Sequence, residues 1–298
     1  MIGRRLFLVW LAISPAAFAK QRKKDSMSED SSKGAEDSDR AALLANGLTL
    51  ARSRRDDEQG ELLKLLESRE FLDKLDTEAE VLNLRFRTRI EKIVDALVAN
   101  EAPPARHTLL ELTASKTFLH DDRRTDALIR ATAVLRPAPA PLVWFWEKHS
   151  RPDDGFTNLT EQAAVANGSP AAIKFFEALM LDHQHDPDDK EAWLHGDVLT
   201  HRTDAPLLAG CERLLASHLA PPLKTALVDS LFDYRPDEWF GEPRRLPTPP
   251  PFDQATPEAR ETLNLIATYV LTHLHPTKRQ EEAIEAATGV TRKKLQTP

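Results

Sequence analysis

Apolar segments recur along the middle of this chain at nearly constant intervals, and each opens on a proline or a small-residue turn. Successive starts of the first series lie 35, 31 and 34 residues apart, at Pro104, Pro139, Pro170 and Asp204. A second series lies between them with steps of 33, 31 and 31 residues, starting at Thr125, Asn158, Asp189 and Ala220. Two interleaved series with one period indicate a repeated pair of helices, and a period of about 20–50 residues restricts the fold more than any single motif.

The segments favour helices over strands. After Arg40 there is no alternating run of β-branched residues bounded by turns, which is the usual strand pattern. The chain has 21 prolines and 10 glycines, and proline is poorly tolerated inside a helix. It is well tolerated in the first turn, where the missing N–H has no partner to lose. The prolines therefore predict helix starts, as at Pro104, Pro139, Pro170 and Pro222.

This pattern resembles the HEAT-like helical repeats, an α-solenoid family, over residues 102–241. The chain departs from that family in having no regular Asp/Arg ladder and an irregular stretch over residues 150–157. The resemblance implies an all-α fold in which stacked helical hairpins form a short right-handed solenoid; an irregular helical bundle is the alternative. It also implies protein binding along a concave face lined by the second helices. The candidate contacts are then Arg130, Gln162, His195 and Lys224.

The first residues follow the pattern of a secretory signal. Two arginines precede an apolar run over residues 6–13, and Ala17 and Ala19 stand three and one residues before the expected cut. Residues 1–19 are therefore predicted to direct export to a periplasmic or secreted location, with an uncleaved anchor as the alternative. A membrane-spanning helix needs about 20 consecutive apolar residues, and no later segment of the sequence approaches this length. The mature chain is predicted to span no membrane.

Charge and cysteine content exclude further classes of protein. The net charge of −7 disfavours nucleic-acid binding, which depends on clustered lysine and arginine. A single cysteine forms no internal disulfide, so an exported chain of this kind depends on helix packing for stability. Cys211 lies among leucines and is predicted to be buried and inert.

The segments outside the repeats complete the expected organisation. Residues 20–39 hold one sizeable apolar side chain, Met27, so composition predicts a disordered tether. Residues 242–257 are rich in proline and predict an extended strap. The full division is signal peptide 1–19, tether 20–39, N-terminal helices 40–101, helical hairpin repeats 102–241, proline-rich strap 242–257 and C-terminal capping helices 258–298.

Helix boundaries are predicted most clearly on either side of the repeats. One helix of about 15 residues is expected from Gln59. A second is expected from Thr77 to Asn100, because Thr77 and Glu80 have the spacing of a capping box. Near the C-terminus, Thr256 and Pro257 predict a helix start, and Gly289 predicts a helix end.

The run from Leu142 to Trp146 is apolar on all sides. On a helix, Trp144 and Trp146 point to nearly opposite faces. The run therefore predicts a helix buried between two neighbours, or a helix on which one tryptophan is exposed as an anchor for a partner.

Residues 182–204 hold four of the ten histidines and many carboxylates. Mixed nitrogen and oxygen ligands suit a divalent metal, and the candidate ligands are His183, His185, Asp186 and Asp188. A polar loop between helices is the alternative, because at least three ligands must converge. Phosphate-binding loops, nucleophile elbows and zinc-binding helices are missing from the sequence. The sequence therefore favours a monomeric, cofactor-free scaffold for another protein over a metal-binding protein or a metal-dependent enzyme that uses residues 182–204.

Overall fold

The computed structural model describes residues 22–76, 87–151, 156–182, 201–232 and 251–296. Within these ranges the chain forms helices and contains no β-strand, so the predicted all-α class is confirmed. None of these helices is both long enough and apolar enough to cross a membrane. The predicted signal peptide lies outside the described residues, as does most of the predicted strap.

The α-helices are α1 (Arg22–Arg52), α2 (Asp56–Leu66), α3 (Arg69–Leu75), α4 (Arg89–Val98), α5 (Pro103–Leu112), α6 (Asp122–Ala131), α7 (Ala140–His149), α8 (Thr157–Asn167), α9 (Pro170–Asp182), α10 (Ala205–Ala216), α11 (Pro221–Phe232), α12 (Pro257–His273), α13 (Lys278–Thr288) and α14 (Arg292–Leu295). Short 3-10 turns occupy Phe118–His120, Thr132–Val134 and Phe252–Gln254.

Prolines mark helix starts, as predicted. Pro170 and Pro257 are the first residues of α9 and α12, and Pro139 is the residue just before α7. The predicted Pro104 and Pro222 are the second residues of α5 and α11, which begin one residue earlier. A proline in the first turn removes no helical hydrogen bond, because the N–H groups there have no partner within the helix. Its fixed φ also matches the helical value. After the last residue of α13, Gly289 adopts the left-handed conformation with φ 72° and ends the helix, as predicted.

The segment predicted to be a disordered tether is helical from Arg22 onward. It forms part of α1, which runs for 31 residues to Arg52. Composition indicated too little apolar surface to order this segment. However, residues 22–52 contain no proline, so nothing in the segment interrupts a helix once the later turns of α1 pack against the core.

Two other helices in the N-terminal third are divided or shortened relative to the prediction. The helix expected from Gln59 is two helices, because the Ser68 hydroxyl accepts a hydrogen bond from Phe71 N and starts α3. Of the helix expected from Thr77 to Asn100, the described residues form Arg89–Val98. There Thr88 and Glu91 form the capping box of α4, whereas Thr77 lies outside the described residues.

Several helices contact the helix two positions along the described order as well as the next one. In the N-terminal half, α4 packs against α1 and α6, and α6 packs against α8. Further along, α9 packs against α7 and α10, α10 against α12, and α11 against α13. Successive pairs such as α4–α5, α8–α9 and α12–α13 also touch. Each of these helices therefore has neighbours on more than one side.

Buried apolar side chains form two clusters that meet at α9. Phe175 and Leu179 belong to the cluster built mainly from preceding helices, whereas Phe176 and Met180 belong to the cluster built mainly from following helices. Helix α9 is therefore buried on two faces, against two different sets of neighbours.

The packing of α9 against α10 depends on Gly210. A Cβ atom on Gly210 would lie 2.6 Å from Ile173 Cγ2 and 3.2 Å from Glu177 Oε1. Beside this close approach, Arg213 of α10 pairs with Glu177 of α9. Because Ile173 Cγ2 is fixed to a branched Cβ, a side chain at position 210 requires the two helices to move apart.

The end of α1 is held by the amide of Asn100, which follows α4. Asn100 Nδ2 donates to Ala51 O at 2.9 Å and to Ser53 O at 2.7 Å. Its Oδ1 accepts from Ala102 N at 3.1 Å. These bonds satisfy carbonyl groups that the end of a helix leaves without partners.

Asn167, at the end of α8, makes the same set of hydrogen bonds. Its Nδ2 donates to Ala133 O at 3.2 Å and to Leu135 O at 2.9 Å, after the end of α6. Its Oδ1 accepts from Ser169 N at 3.2 Å. As with Asn100, the two carbonyl groups belong to residues two positions apart in the chain. In both turns the N–H that donates to the asparagine Oδ1 belongs to the residue two positions after the asparagine.

Each asparagine stands three residues before the proline that begins the next helix, Pro103 or Pro170. The 67 residues from Asn100 to Asn167 amount to two of the sequence periods. The sequence reasoning missed this Asn-x-x-Pro turn, because the intervening repeat does not carry it. The two turns are therefore alike in sequence spacing and in hydrogen bonding.

Candidate functional site

The predicted contacts Arg130, Gln162 and Lys224 lie on α6, α8 and α11. Gln162 is exposed. Arg130 is exposed and pairs with Asp126, one turn earlier on α6. Lys224 is half-buried, and its Nζ donates to Ser217 O at 2.7 Å. The Arg130 and Lys224 side chains therefore already interact with other groups of this chain.

Arg130 lines a groove of about 380 Å³ between α4 and α6. In this groove Arg123 pairs with Glu91 at 3.2 Å and joins the two helices. Arg87 pairs with Asp95 on the same surface. The charges along the groove are therefore balanced within the chain, so the groove favours neither an acidic nor a basic partner.

Lys224 lines a cleft of about 380 Å³ between α11, the end of α12 and the start of α13. Buried Val228 and Val270 form part of its apolar floor. His273 and His275 stand exposed at the rim. An apolar floor with a few nitrogen groups at the edge is typical of sites for small ligands or single side chains.

Helix α7 places its two tryptophans on opposite faces, as predicted. Trp146 is fully buried: its Nε1 donates to Thr132 Oγ1 at 2.9 Å, and its ring centroid lies 5.8 Å from that of Phe175. Trp144 is 73% exposed, more than any other large apolar side chain in the part of the chain that the structure describes. One tryptophan is thus a core residue and the other a surface residue.

Arg130 and Lys224, two of the predicted binding residues, line different recesses. Arg130 lines the groove between α4 and α6, and Lys224 lines the cleft beside α12. Trp144 belongs to neither lining, and Trp146 lies in the core. The surfaces of this protein must therefore be considered separately.

The predicted metal ligands fall outside the described residues. This holds for His183, His185, Asp186 and Asp188, and also for the predicted contact His195. Among the residues that the structure does describe, no three His, Cys, Asp or Glu side chains are grouped so that they can hold a metal ion.

Cys211 is buried in α10, as predicted. Burial raises the pKa of its thiol to about 12, and the negative charge of Glu177 acts in the same direction. The thiol is therefore protonated at neutral pH, and a protonated thiol is a poor nucleophile. Cys211 packs as a small apolar residue.

The chain was compared with protein families, curated proteins and solved structures. None of the three comparisons gives a match.

Proposed function

We propose that this protein is a helical-repeat scaffold that binds another protein, with Trp144 as a principal contact. The observation that carries the proposal is the 73% exposure of the Trp144 side chain. Exposing so large an apolar ring to water is unfavourable, and tryptophan is enriched among the residues that dominate binding energy at protein interfaces.

Rigid presentation of Trp144 supports the same proposal. The opposite face of α7 is anchored by Leu142, Phe145 and Trp146, which are all buried. A side chain on a helix fixed in this way loses little conformational entropy when it binds. An anchor of this kind contributes more to affinity than a similar side chain on a loose loop.

The proposal includes a HEAT-like solenoid rather than an irregular bundle. Three observations support it: contacts between helices two positions apart, such as α4–α6, α6–α8 and α10–α12, the burial of α9 between two clusters, and the matching turns at Asn100 and Asn167. In a solenoid each unit contacts its neighbours in order, whereas a bundle gathers its helices around one shared core.

We further propose that the scaffold acts outside the cytoplasm, in a periplasmic or extracellular space. The three-part pattern of residues 1–19 supports export. The described helices are held together by packing, and Cys211 is buried rather than available for a bridge. This role requires no cofactor.

Site-specific crosslinking in the native cells tests the proposed contact. A photo-crosslinking amino acid with an aromatic side chain, which keeps a large ring at the contact, replaces Trp144 in the full chain. A matched variant carries it at Leu265, which is 51% exposed on α12. We expect a discrete protein adduct from position 144 and a much lower yield of that adduct from position 265. Equal yields from both positions, or no adduct at position 144, would contradict the proposal.

A further inference from the structure

A recess of about 580 Å³ lies between the end of α1 and the last turns of α4. Its lining includes Arg52, Arg54 and Lys92, and all three side chains are exposed. Within the described ranges none of the three is within ion-pair distance of a carboxylate. The recess therefore presents three cations whose charge is not neutralised by a nearby partner.

The two carboxylates of the lining do not cancel this charge. Asp95 already pairs with Arg87, which precedes α4. Glu101 is the remaining acid of the recess. Since the whole chain carries a net charge of −7, a locally positive recess stands out against its surroundings.

Attraction to the end of a helix accounts for the position of only one of the three cationic side chains. Arg52 lies in the last turn of α1, where the partial negative charge of the helix terminus favours a cation. Arg54 follows the helix, and Lys92 lies in the first half of α4, so neither benefits in this way. Their placement around one recess calls for a different explanation.

The wall of the recess is rigid and partly apolar. Leu48 and Ala96 contribute apolar surface. Buried Asn100 ties the wall together through its hydrogen bonds to Ala51 O and Ser53 O. A site that is already ordered loses less entropy when it binds.

We propose that this recess binds an acidic segment of the partner protein. Carboxylates of the segment pair with Arg52, Arg54 and Lys92, and an apolar side chain rests on Leu48 and Ala96. Arginine suits this role because its planar guanidinium can bind a carboxylate through two hydrogen bonds. The inference rests on the proposed function, since it names the chemistry of a second contact with that partner.

A peptide fits the recess better than a nucleic acid does. Phosphates follow one another closely along a nucleic acid, and its binding relies on clustered cations without intervening acids. Here Glu101 and Asp95 lie in the same lining as the cations. A peptide offers backbone N–H groups to such acids, and it also supplies an apolar side chain for the floor.

Fluorescence anisotropy with the purified full chain tests this inference. The probe is a labelled octapeptide of alternating glutamate and leucine. The test variant carries Arg52→Glu, Arg54→Glu and Lys92→Glu. A matched variant with the same change in charge reverses three exposed cations elsewhere, Arg106→Glu, Lys116→Glu and Lys174→Glu.

We expect the octapeptide to bind the native chain, and binding to weaken about tenfold or more in the test variant but about twofold or less in the matched variant. Added salt should weaken binding, because exposed charges are screened over about 8 Å at physiological ionic strength. Equal weakening in both variants would overturn the inference, as would absence of binding to the native chain.

Two further probes identify the class of ligand. A lysine–leucine octapeptide and an eight-nucleotide thymidine strand should each bind at least about tenfold more weakly than the glutamate–leucine peptide. Comparable binding of either probe would overturn the inference. None of these measurements involves Trp144, so failure at the recess and failure of the crosslinking test are distinguishable.

Discussion

Replacing Trp146 with alanine is expected to lower the free energy of unfolding by about 3–5 kcal/mol. The side chain is fully buried, packs beside Phe175 and donates a hydrogen bond to Thr132. Its removal leaves a large cavity between α7 and its neighbours and deprives the Thr132 hydroxyl of a donor. Denaturant unfolding followed by far-UV circular dichroism measures the loss without depending on tryptophan fluorescence.

Trp144→Ala is the matched control, two residues away on the same helix. Because the Trp144 side chain is 73% exposed, we expect its removal to change the free energy of unfolding by about 0.5 kcal/mol or less. Trp146→Phe keeps most of the packing but loses the indole N–H, so it should cost about 1–3 kcal/mol. A similar loss of stability in both alanine variants would mean that α7 does not pack as described.

The second large effect is expected at Asn167. Asn167→Asp removes the two hydrogen bonds to Ala133 O and Leu135 O and places a carboxylate against those carbonyl oxygens. The position is fully buried. We expect a loss of about 3 kcal/mol or more at neutral pH, since two carbonyl groups lose their donor and a charged carboxylate is buried against them.

The loss at Asn167 should depend on pH in a defined direction. Burial disfavours the charged carboxyl, so its pKa in the folded protein lies above the value of about 4 in the unfolded chain. The charge penalty is therefore absent below that unfolded value and grows as the pH rises through the folded pKa. Asn167→Ala has no charge at this position. The difference in the free energy of unfolding between the two variants at each pH therefore reports the cost of burying the carboxylate.

Asn264→Asp, at an exposed position on α12, provides the matched control. We expect this control to change the free energy of unfolding by about 0.5 kcal/mol or less. If Asn167→Asp were equally mild, the amide would not hold the turn between α8 and α9, and the likeness to the Asn100 turn would carry no structural meaning.

The sequence predicted the helical class well because its signals are local. Prolines and apolar spacing act within one or two turns. This explains why Pro170 and Pro257 are the first residues of their helices, as predicted, and why Pro104 lies within one residue of its helix start. The start of α4 was harder to predict, because the apolar spacing continues from Phe86 to Ile90 and conceals the break. The break also depends on a distant group, since buried Asp76 accepts hydrogen bonds from Arg89 N and Ile90 N.

The candidate surfaces could be predicted only in part. Helical geometry places Trp144 and Trp146 on opposite faces, but which of them is buried depends on where Thr132 and Phe175 lie in space. The recess was not predicted, because Arg52 and Lys92 are separated by 40 positions of chain and only the packing of α1 against α4 brings them together. Contacts of this kind leave no periodic signal in the sequence.

The most direct test of the scaffold proposal is the affinity of the protein captured at position 144 for the Trp144→Ala variant. Loss of a central tryptophan contact is expected to weaken binding by about 2 kcal/mol or more, which is about a 30-fold increase in Kd. Leu265→Ala should leave the Kd unchanged, and both variants should unfold at the native denaturant midpoint. An unchanged Kd for a fully folded Trp144→Ala variant would contradict the proposed role of Trp144.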